Sequence, residues 1–267
     1  MRIALGIEYD GTRYHGWQAQ GPGVDSVQYR VDRAVSGVAA HPVTVVCAGR
    51  TDAGVHATGQ VVHFDTTAER EMRAWVLGVN SGLPADVVVR WAVRVADHFH
   101  ARHSALARRY RYVILNEPIR PAIFGSLVSW NFRPLDVVRM QAAANHLIGE
   151  HDFSSFRAAG CQSKTPMRYL SELQVRRLGN LVVIEVRANA FLHHMVRNIA
   201  GVLMDVGTGK RPVDWVTQLL QARNRRLAAA TAPPYGLYLV QVEYPGHFAI
   251  PREPPGPFFL AGQPDSP

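Results

Sequence analysis

Residues 42–65 read PVTVVCAGRTDAGVHATGQVVHFD, a pattern that indicates two strands joined by a glycine-flanked loop. The runs 42–48 and 60–65 are strand-like, and Asp52 opens the turn signal Asp-Ala-Gly. The loop holds the base Arg50 and the acid Asp52 between two strands, which is a common way to present reactive groups. The local pattern also fits, and by itself favours, an Asp52 that only hydrogen-bonds its own turn, with Arg50 paired to it.

The segments around this strand pair extend it to the order βαββαβ. The predicted strands of this first half are 3–9, 42–48, 60–65 and 87–95, and its predicted helices start near 26 and 71. Asp25 and Gln28 are spaced like a capping box at the start of the first helix, about Ser26.

The second half repeats this order with an unrelated sequence. Its predicted strands are 109–115, 173–178, 181–188 and 236–244, and its predicted helices are 134–148, 191–206 and 212–221. The repeat predicts an α+β fold of two ferredoxin-like βαββαβ halves, with antiparallel sheets flanking a basic active-site cleft. We expect an N-terminal α+β domain at 1–104, a C-terminal α+β domain at 105–247 and a Pro/Gly-rich tail at 248–267.

The charge of the chain points to a polyanionic partner. Its 267 residues carry 29 Lys and Arg against 21 Asp and Glu, a formal net charge of +8. The lysines are Lys164 and Lys210 alone, so arginine supplies nearly all the positive charge. Arginine forks match phosphates and stack on bases, which favours nucleic acid. A GC-rich coding bias also replaces lysine by arginine, so this excess does not by itself identify the partner.

Other features argue against a membrane protein, a secreted protein and a thiolate zinc site. No apolar run approaches the length of a membrane span, and the first residues lack a signal-peptide pattern. Cys47 and Cys161 are too few for a four-thiolate zinc site. A chain with 47% hydrophobic residues needs no disulfide to build a core, so we expect a protein of the reducing cytoplasm.

Residues 107–112, ARRYRY, alternate arginine with tyrosine. On a strand, Tyr110 and Tyr112 share one face while Arg109 and Arg111 take the other. This arrangement fits base stacking combined with phosphate contact. It also fits an ordinary strand with aromatics in the core and arginines in water, which spacing alone somewhat favours.

Residues 189–198, NAFLHHMVRN, begin a strongly amphipathic helix. Arg197 projects away from the apolar face, near His194 and Gly201. It is either a routine surface charge or, if it faces a cleft, a partner for a carboxylate or phosphate. The sequence alone does not distinguish between these two roles of Arg197.

Histidines cluster in two places, His98, His100 and His103 together, and the adjacent pair His193 and His194. On a strand, His98 and His100 would share a face but His103 would not. Adjacent histidines on a helix point apart. A metal site needs convergent ligands, so we expect none here.

Several blocks of the sequence belong together. They are YDGTRYHGWQ (9–18), GRTDAGVHA (49–57), FHARHSA (99–105), RRYRY (108–112), NAFLHHMVRN (189–198) and GLYL (236–239). In content, order and spacing, from near residue 1 to about 244, they resemble the tRNA pseudouridine synthase A family. Departures are slight: Tyr29 stands where acidic or basic residues are more usual, and lysine is scarce.

The resemblance implies conversion of uridine to pseudouridine at positions 38, 39 and 40 of the tRNA anticodon stem-loop. It also implies a cytoplasmic homodimer that works without cofactor or metal. It implies that Asp52 is the nucleophile, that Tyr110 stacks on the target uracil and that Arg197 pairs with the Asp52 carboxylate. Arg50 would help to hold the flipped state. The chemistry agrees, because a carboxylate can attack the sugar and uracil departs as a stabilised anion.

Two other functions stay open at this level. One is a non-catalytic RNA-binding protein in which Asp52 is structural, and the other is a metal-dependent nucleic-acid hydrolase. Release of tritium from uracil C5 in tRNA separates the isomerase from both, and metal stripping separates the hydrolase.

Overall fold

The structure is a computed structural model that describes residues 1–21 and 23–260. Its contacts divide it into two compact units. The first unit consists of Met1–Arg108 and Tyr238–Phe259, and the second of Arg109–Leu237 with, among the described residues, Leu260. Within the described part of the chain, no helix combines the length and apolar character that crossing a membrane requires.

Strands and helices are mixed along both units. The strands are β1 (Arg2–Tyr9), β2 (Val46–Cys47), β3 (His56–Asp65), β4 (Val87–Val95), β5 (Ala107–Asn116), β6 (Ser129–Asn131), β7 (Gly149–Asp152), β8 (Met167–Leu178), β9 (Leu181–Ala188) and β10 (Leu237–Glu243). The α-helices are α1 (Val27–Ala39), α2 (Met72–Gly82), α3 (Val137–Asn145), α4 (Met195–Gly207) and α5 (Trp215–Ala222). The predicted α+β class is confirmed.

The sheet of the first unit has the order β4-β1-β3, and both β2 and β10 pair with β3. β1 is antiparallel to β3 and β4, and β2 is antiparallel to β3. The order β4-β1-β3-β2 is that of a split βαβ unit, in which a helix connects two strands across an inserted one. β10 runs parallel to β3, with Tyr238 opposite His56. The prediction of a wholly antiparallel sheet is therefore wrong at this strand pair. Asp52 lies in the connection between β2 and β3.

Helix α1 begins after Ser26, whose Oγ accepts a hydrogen bond from the Tyr29 N–H at 3.3 Å. The predicted capping box of Asp25 and Gln28 is therefore wrong. Asp25 pairs instead with Arg30 at 2.7 Å. The buried side of the helix repeats at helical spacing, which is why this segment folds as predicted. Its members are Val27, Val31, Ala34, Val35 and Ala39.

The predicted strand 42–48 is a strand only at Val46–Cys47. Upstream, side chains of α1 replace a strand partner. Val43 N–H donates to Ser36 Oγ at 2.9 Å, and Val45 N–H donates to Asp32 Oδ1 at 2.8 Å. Short polar side chains can satisfy backbone amides as a ladder would. Burial raises the pKa of Asp32 to about 6, and the hydrogen bond from Val45 acts against that rise.

The sheet of the second unit has the order β5-β9-β8-β7, with β6 paired to β5. β7, β8 and β9 are antiparallel neighbours, and β6 runs parallel to β5. β6 and β7 were not predicted, because strands this short lack a usable period-two pattern. α3 begins at Val137 and α4 at Met195, each after the predicted start.

The compact units differ from the predicted domain bounds. The chain divides after Arg108, and Tyr238–Phe259 belongs to the first unit. The domains predicted at 1–104 and 105–247, the likeness of the two halves and the basic cleft stay predictions. Of the tail predicted at 248–267, residues 261–267 lie outside the described part of the chain.

Candidate active site

The loop that carries Arg50 and Asp52 leaves β2 at Cys47 and enters β3 at His56. Arg50 is exposed and Asp52 is half-buried. The Asp52 backbone carbonyl accepts a hydrogen bond from the Val55 N–H at 3.1 Å. The turn is therefore closed by a backbone hydrogen bond.

Buried side chains of β1 and β3 hold this loop. The Tyr9 hydroxyl and Thr51 Oγ1 share a hydrogen bond of 2.7 Å. Gln60 Nε2 donates to the Gly49 carbonyl at 2.6 Å, and Gln60 is 0% exposed. The backbone is thus held on both sides of Arg50, which orders the loop before any ligand binds.

The segment that follows β1 packs against the same loop. Trp17 N–H donates to the Thr51 carbonyl at 3.0 Å, and Gly54 N–H donates to the Tyr14 carbonyl at 3.4 Å. Gly16 has a φ of +91°, and a Cβ on it would lie 2.7 Å from the Thr51 oxygen. The approach of these two loops therefore requires a residue without a side chain.

Asp10 and His56 connect the end of β1 to the start of β3. His56 Nδ1 lies 3.0 Å from Asp10 Oδ1 and 3.1 Å from the Gly11 nitrogen. One nitrogen cannot donate to Asp10 and accept from Gly11 at once. The hydrogen bond with His56 lowers the pKa of Asp10 well below its usual range, against the effect of burial. An ionised carboxylate is the stronger partner, so we assign the proton to Nδ1, facing Asp10.

Tyr110 lies on β5 in the second unit and is 8% exposed. Its ring meets Phe191 edge to face, with centroids 5.0 Å apart and planes at 80°. Tyr112, on the same face of the strand, is fully buried. Its hydroxyl shares a hydrogen bond of 2.6 Å with Ser129 Oγ and donates to the Pro233 carbonyl at 3.0 Å. Burial raises the pKa of Tyr112 well above its usual range, so Tyr112 is a core residue.

Arg109 and Arg111 lie on the other face of β5, as the alternation predicted. Their side chains are 17% and 15% exposed, and both pair with Glu185. Arg109 also meets Glu172 at 3.0 Å. Burial acts to raise the pKa of Glu185, but Arg111 and Arg109 outweigh it and hold that pKa below its usual range. These arginines therefore have carboxylate partners in place of the phosphates or water considered from the sequence.

Arg197 lies in the first turn of α4 and is half-buried. Its Nε donates to the Ala232 carbonyl at 2.8 Å, and the Ala232 N–H donates back to the Arg197 carbonyl at 3.2 Å. A Cβ on Gly201 would lie 2.2 Å from the Ala230 oxygen, so the helix and this segment are in close contact. The guanidinium is therefore directed by its surroundings, unlike a routine surface charge.

The polar residues that hold residues 230–232 to α4 were not predicted from the sequence. Asn198 is 0% exposed, and its Nδ2 donates to the Phe156 carbonyl at 2.7 Å. Its Oδ1 accepts from Thr231 Oγ1 at 2.7 Å and from Arg225 Nη2 at 3.0 Å. The signal was an asparagine among the apolar residues of an amphipathic helix, because a buried amide needs partners.

The histidines after β4 lie in a turn, not on an extended strand. The rings of His100 and His103 have centroids 4.3 Å apart. His63 Nδ1 accepts from the Ala101 N–H and His100 Nδ1 from the Arg102 N–H, both at 3.1 Å. These nitrogens thus hold the backbone of the turn.

The candidate residues fall into two sets. Arg50 and Asp52 lie on one loop of the first unit, whereas Tyr110 and Arg197 belong to the second unit. The roles implied for them, including the pairing of Arg197 with Asp52, stay predictions.

Comparison with known proteins identifies the family. A family model described as tRNA pseudouridine synthase matches residues 6–104 and 143–245. The chain is 60% identical over 264 residues to the tRNA pseudouridine synthase A of Pseudomonas aeruginosa, covering 99% of this chain and 93% of the relative. It is 60% identical over 259 residues to that of Alcanivorax borkumensis, covering 97% of each. It is 60% identical over 260 residues to that of Vibrio cholerae, covering 97% of this chain and 98% of the relative.

These matches confirm the resemblance found in the sequence blocks, and they run through both compact units. Relatives at this identity over nearly the whole chain are named as enzymes, which sets aside the non-catalytic RNA-binding protein and the hydrolase. The chain therefore belongs to the tRNA pseudouridine synthase family and is an isomerase that forms pseudouridine in tRNA.

Proposed function

We propose that this isomerase acts at positions 38, 39 and 40 of the tRNA anticodon stem-loop, with Asp52 as its nucleophile. The observation that carries the proposal is the loop of Asp52, which is closed by its own backbone and held by Tyr9 and Gln60. A reacting group must be held to within about 0.5 Å of its productive position, which such a loop favours. The resemblance of the sequence blocks supplies the three positions.

The proposed reaction moves the attachment of uracil from nitrogen to carbon. The bond between N1 and ribose C1′ breaks, the base turns, and a bond forms between C5 and C1′. Asp52 either attacks C1′ or adds to the uracil ring, so that one fragment is held while the other turns. C5 then loses its proton and N1 gains one, so no redox partner is needed. Glycosidases need a second carboxylic acid to protonate an alkoxide, but uracil leaves as a stabilised anion.

Arg197 is proposed to pair with the Asp52 carboxylate. An adjacent guanidinium keeps a carboxylate ionised and oriented. The hydrogen bond from Arg197 Nε to Ala232 supports this role, because it directs the guanidinium before substrate binds. Arg50, exposed on the same loop as Asp52, is proposed to hold the flipped nucleotide.

Tyr110 is proposed to stack on the target uracil. Stacking of a base on an aromatic ring contributes about 1–3 kcal/mol. The edge contact with Phe191 supports this role, because a ring that is already packed loses little freedom when it binds. A hydroxyl beside the sugar would also be placed to carry a proton.

The enzyme is further proposed to be a cytoplasmic homodimer that binds tRNA without metal or cofactor. The net charge of +8 supports a polyanionic substrate. Sedimentation of the purified protein checks the dimer, and a monomeric mass at working concentration would contradict it. Turnover should survive EDTA. Loss of turnover on chelation, restored by zinc or magnesium, would contradict the metal-free proposal.

The decisive experiment measures tritium release from C5 of uridine in defined tRNA transcripts. Three transcripts carry one labelled uridine each, at position 38, 39 or 40, and a control carries cytidine at all three and labelled uridine elsewhere. We expect release from the three and none from the control. Release from the control alone would refute the proposed positions while leaving isomerase activity intact.

A further inference from the structure

The turn between β4 and β5, which carries the block FHARHSA (99–105), has so far no role in the reaction. Phe99 and Ala101 are 0% exposed and anchor the turn, whereas Arg102 and His103 are exposed. The turn therefore exposes two basic side chains, and its buried residues anchor it to the rest of the first unit.

His100 fixes the shape of this turn. Its Nδ1 accepts hydrogen bonds from the Arg102 N–H at 3.1 Å and the His103 N–H at 3.2 Å. Ser104 N–H donates to the His100 carbonyl at 2.9 Å. The Tyr244 hydroxyl donates to the Ala101 carbonyl at 2.6 Å, which fastens the turn to the rest of the first unit. The exposed side chains of Arg102 and His103 therefore extend from a backbone that these hydrogen bonds hold in place.

Arg108 fastens the same turn to the start of the Asp52 loop. It is 9% exposed, and its Nη2 donates both to the Arg102 carbonyl at 2.5 Å and to the Ala48 carbonyl at 3.1 Å. Because one nitrogen reaches both oxygens, the backbone of Arg102 lies beside Ala48. Ala48 precedes Arg50 by two residues. The exposed side chains of Arg50 and Arg102 therefore extend from backbone segments that lie next to each other.

The charge around Cys47 agrees with this placement. Burial raises the pKa of the Cys47 thiol to about 11, and the positive charges of Arg50 and Arg102 act against that rise. Both guanidinium groups are therefore near the end of β2. Arg2, at the base of the turn, is already paired with Asp65 at 2.7 Å.

We infer that Arg102 and His103 bind backbone phosphates of the RNA on the nucleotides that flank the target, beside Arg50. The inference rests on the proposed function, because it takes Asp52 to meet the target nucleotide. A planar guanidinium binds phosphate with two parallel hydrogen bonds. Flipping a nucleotide costs a few kcal/mol, which contacts to the neighbouring backbone offset. Phosphate contacts carry no sequence information, which suits an enzyme that is proposed to accept three neighbouring positions.

The test compares Arg102→Ala with Arg73→Ala, a control that removes the same charge from an exposed position on α2. Arg108 contacts the carbonyl of Arg102, so the alanine variant keeps that hydrogen bond and should keep its Tm. Equilibrium binding of tRNA is measured over a series of salt concentrations. We expect Arg102→Ala to weaken binding about tenfold and to reduce the salt slope by about one, and Arg73→Ala to change neither.

His103→Ala should weaken binding less than Arg102→Ala, and Arg102→Lys should restore most of the salt slope but not the full affinity. Unchanged affinity and slope in Arg102→Ala would overturn the inference. A variant that binds normally but turns over slowly at saturating tRNA would also overturn it, because Arg102 would then act on the Asp52 loop. Failure of wild-type turnover at positions 38–40 refutes the proposed function instead, since the binding measurement does not depend on turnover.

Discussion

Asp52 is the residue on which the proposed chemistry depends. Asp52→Asn keeps the size of the side chain and removes its charge, and the turn still closes through the Asp52 carbonyl. We therefore expect turnover to vanish in the tritium-release assay while Tm and tRNA binding stay near wild type. Asp205→Asn is the matched control, because it breaks only an exposed pair with Lys210. An Asp52→Asn protein that forms pseudouridine at near wild-type rate would falsify the assignment.

Tyr110 invites a second test at this scale, because its ring and hydroxyl are proposed to do different work. Tyr110→Phe keeps the contact with Phe191 and deletes the proton carrier. We expect it to bind tRNA nearly normally and to turn over at least roughly 100-fold more slowly. Tyr110→Leu should in addition lose the stacking contribution, about 1–3 kcal/mol of the binding free energy. Near-normal turnover in the Phe variant would leave Tyr110 as a platform only.

Tyr112→Phe is the control for this pair of variants. It leaves Ser129 and the Pro233 carbonyl without the Tyr112 hydroxyl. It should lower the free energy of unfolding by about 1–3 kcal/mol, because buried polar groups lose a partner. The folded fraction should still turn over at the wild-type rate. Full activity in Tyr110→Leu would place Tyr110 outside the active site.

At the scale of elements, α4 and the segment before β10 act together on Arg197. Arg197→Lys keeps the charge but loses the planar fork and the hydrogen bond from Nε to Ala232. We expect the rate at saturating tRNA to fall far more than the affinity, measured by single-turnover kinetics and equilibrium binding. Arg133→Lys, at an exposed position, is the matched control. Equal turnover at saturation with weaker binding would assign Arg197 to phosphate contact.

The contact between the segment after β1 and the Asp52 loop gives a second prediction for elements. Gly16→Ala places a Cβ 2.7 Å from the Thr51 oxygen at a φ of +91°, so one loop must shift. We expect about 1–3 kcal/mol of destabilisation, measured by urea unfolding, and a larger fall in turnover than in tRNA binding. Gly37→Ala on α1 meets nothing within 4 Å and should be neutral or slightly stabilising. Wild-type stability and turnover in Gly16→Ala would show that the loops tolerate separation.

For the whole molecule, the net charge of +8 predicts a strong dependence of tRNA binding on salt. Neutralised phosphates release counterions, so affinity should fall roughly tenfold or more across a few-fold rise in salt. Turnover at saturating tRNA should change much less, because the chemistry lies in a local site. A flat salt dependence of binding would contradict phosphate contact as its main source.

Not all of the positive charge is available for RNA. Arg109 and Arg111 are paired with Glu185, and Arg2 is paired with Asp65. The salt slope should therefore report fewer contacts than the count of arginines suggests. The net charge of a chain identifies the class of its partner, but the ion pairs decide which arginines can meet that partner.

The α+β class, most strand and helix positions and the family were predictable from local patterns. The period of two on β1 and β4 and the helical spacing on α1 arise from the geometry of the elements themselves, so neighbouring residues suffice to recognise them. The resemblance of the sequence blocks to a family is likewise a property of the chain read in order. The same information predicted the alternating faces of β5.

Only the tertiary structure decided which side chains meet. Thr51 is held by Tyr9 from 42 residues away, and Arg111 finds Glu185 74 residues along the chain. Asp32 and Ser36 replaced strand partners for residues that the pattern had assigned to a ladder. Such partners depend on how distant segments pack, and many acceptors compete for each donor. Local sequence therefore determined the elements and the position of the Asp52 loop between two strands, and long-range packing determined how that loop is held.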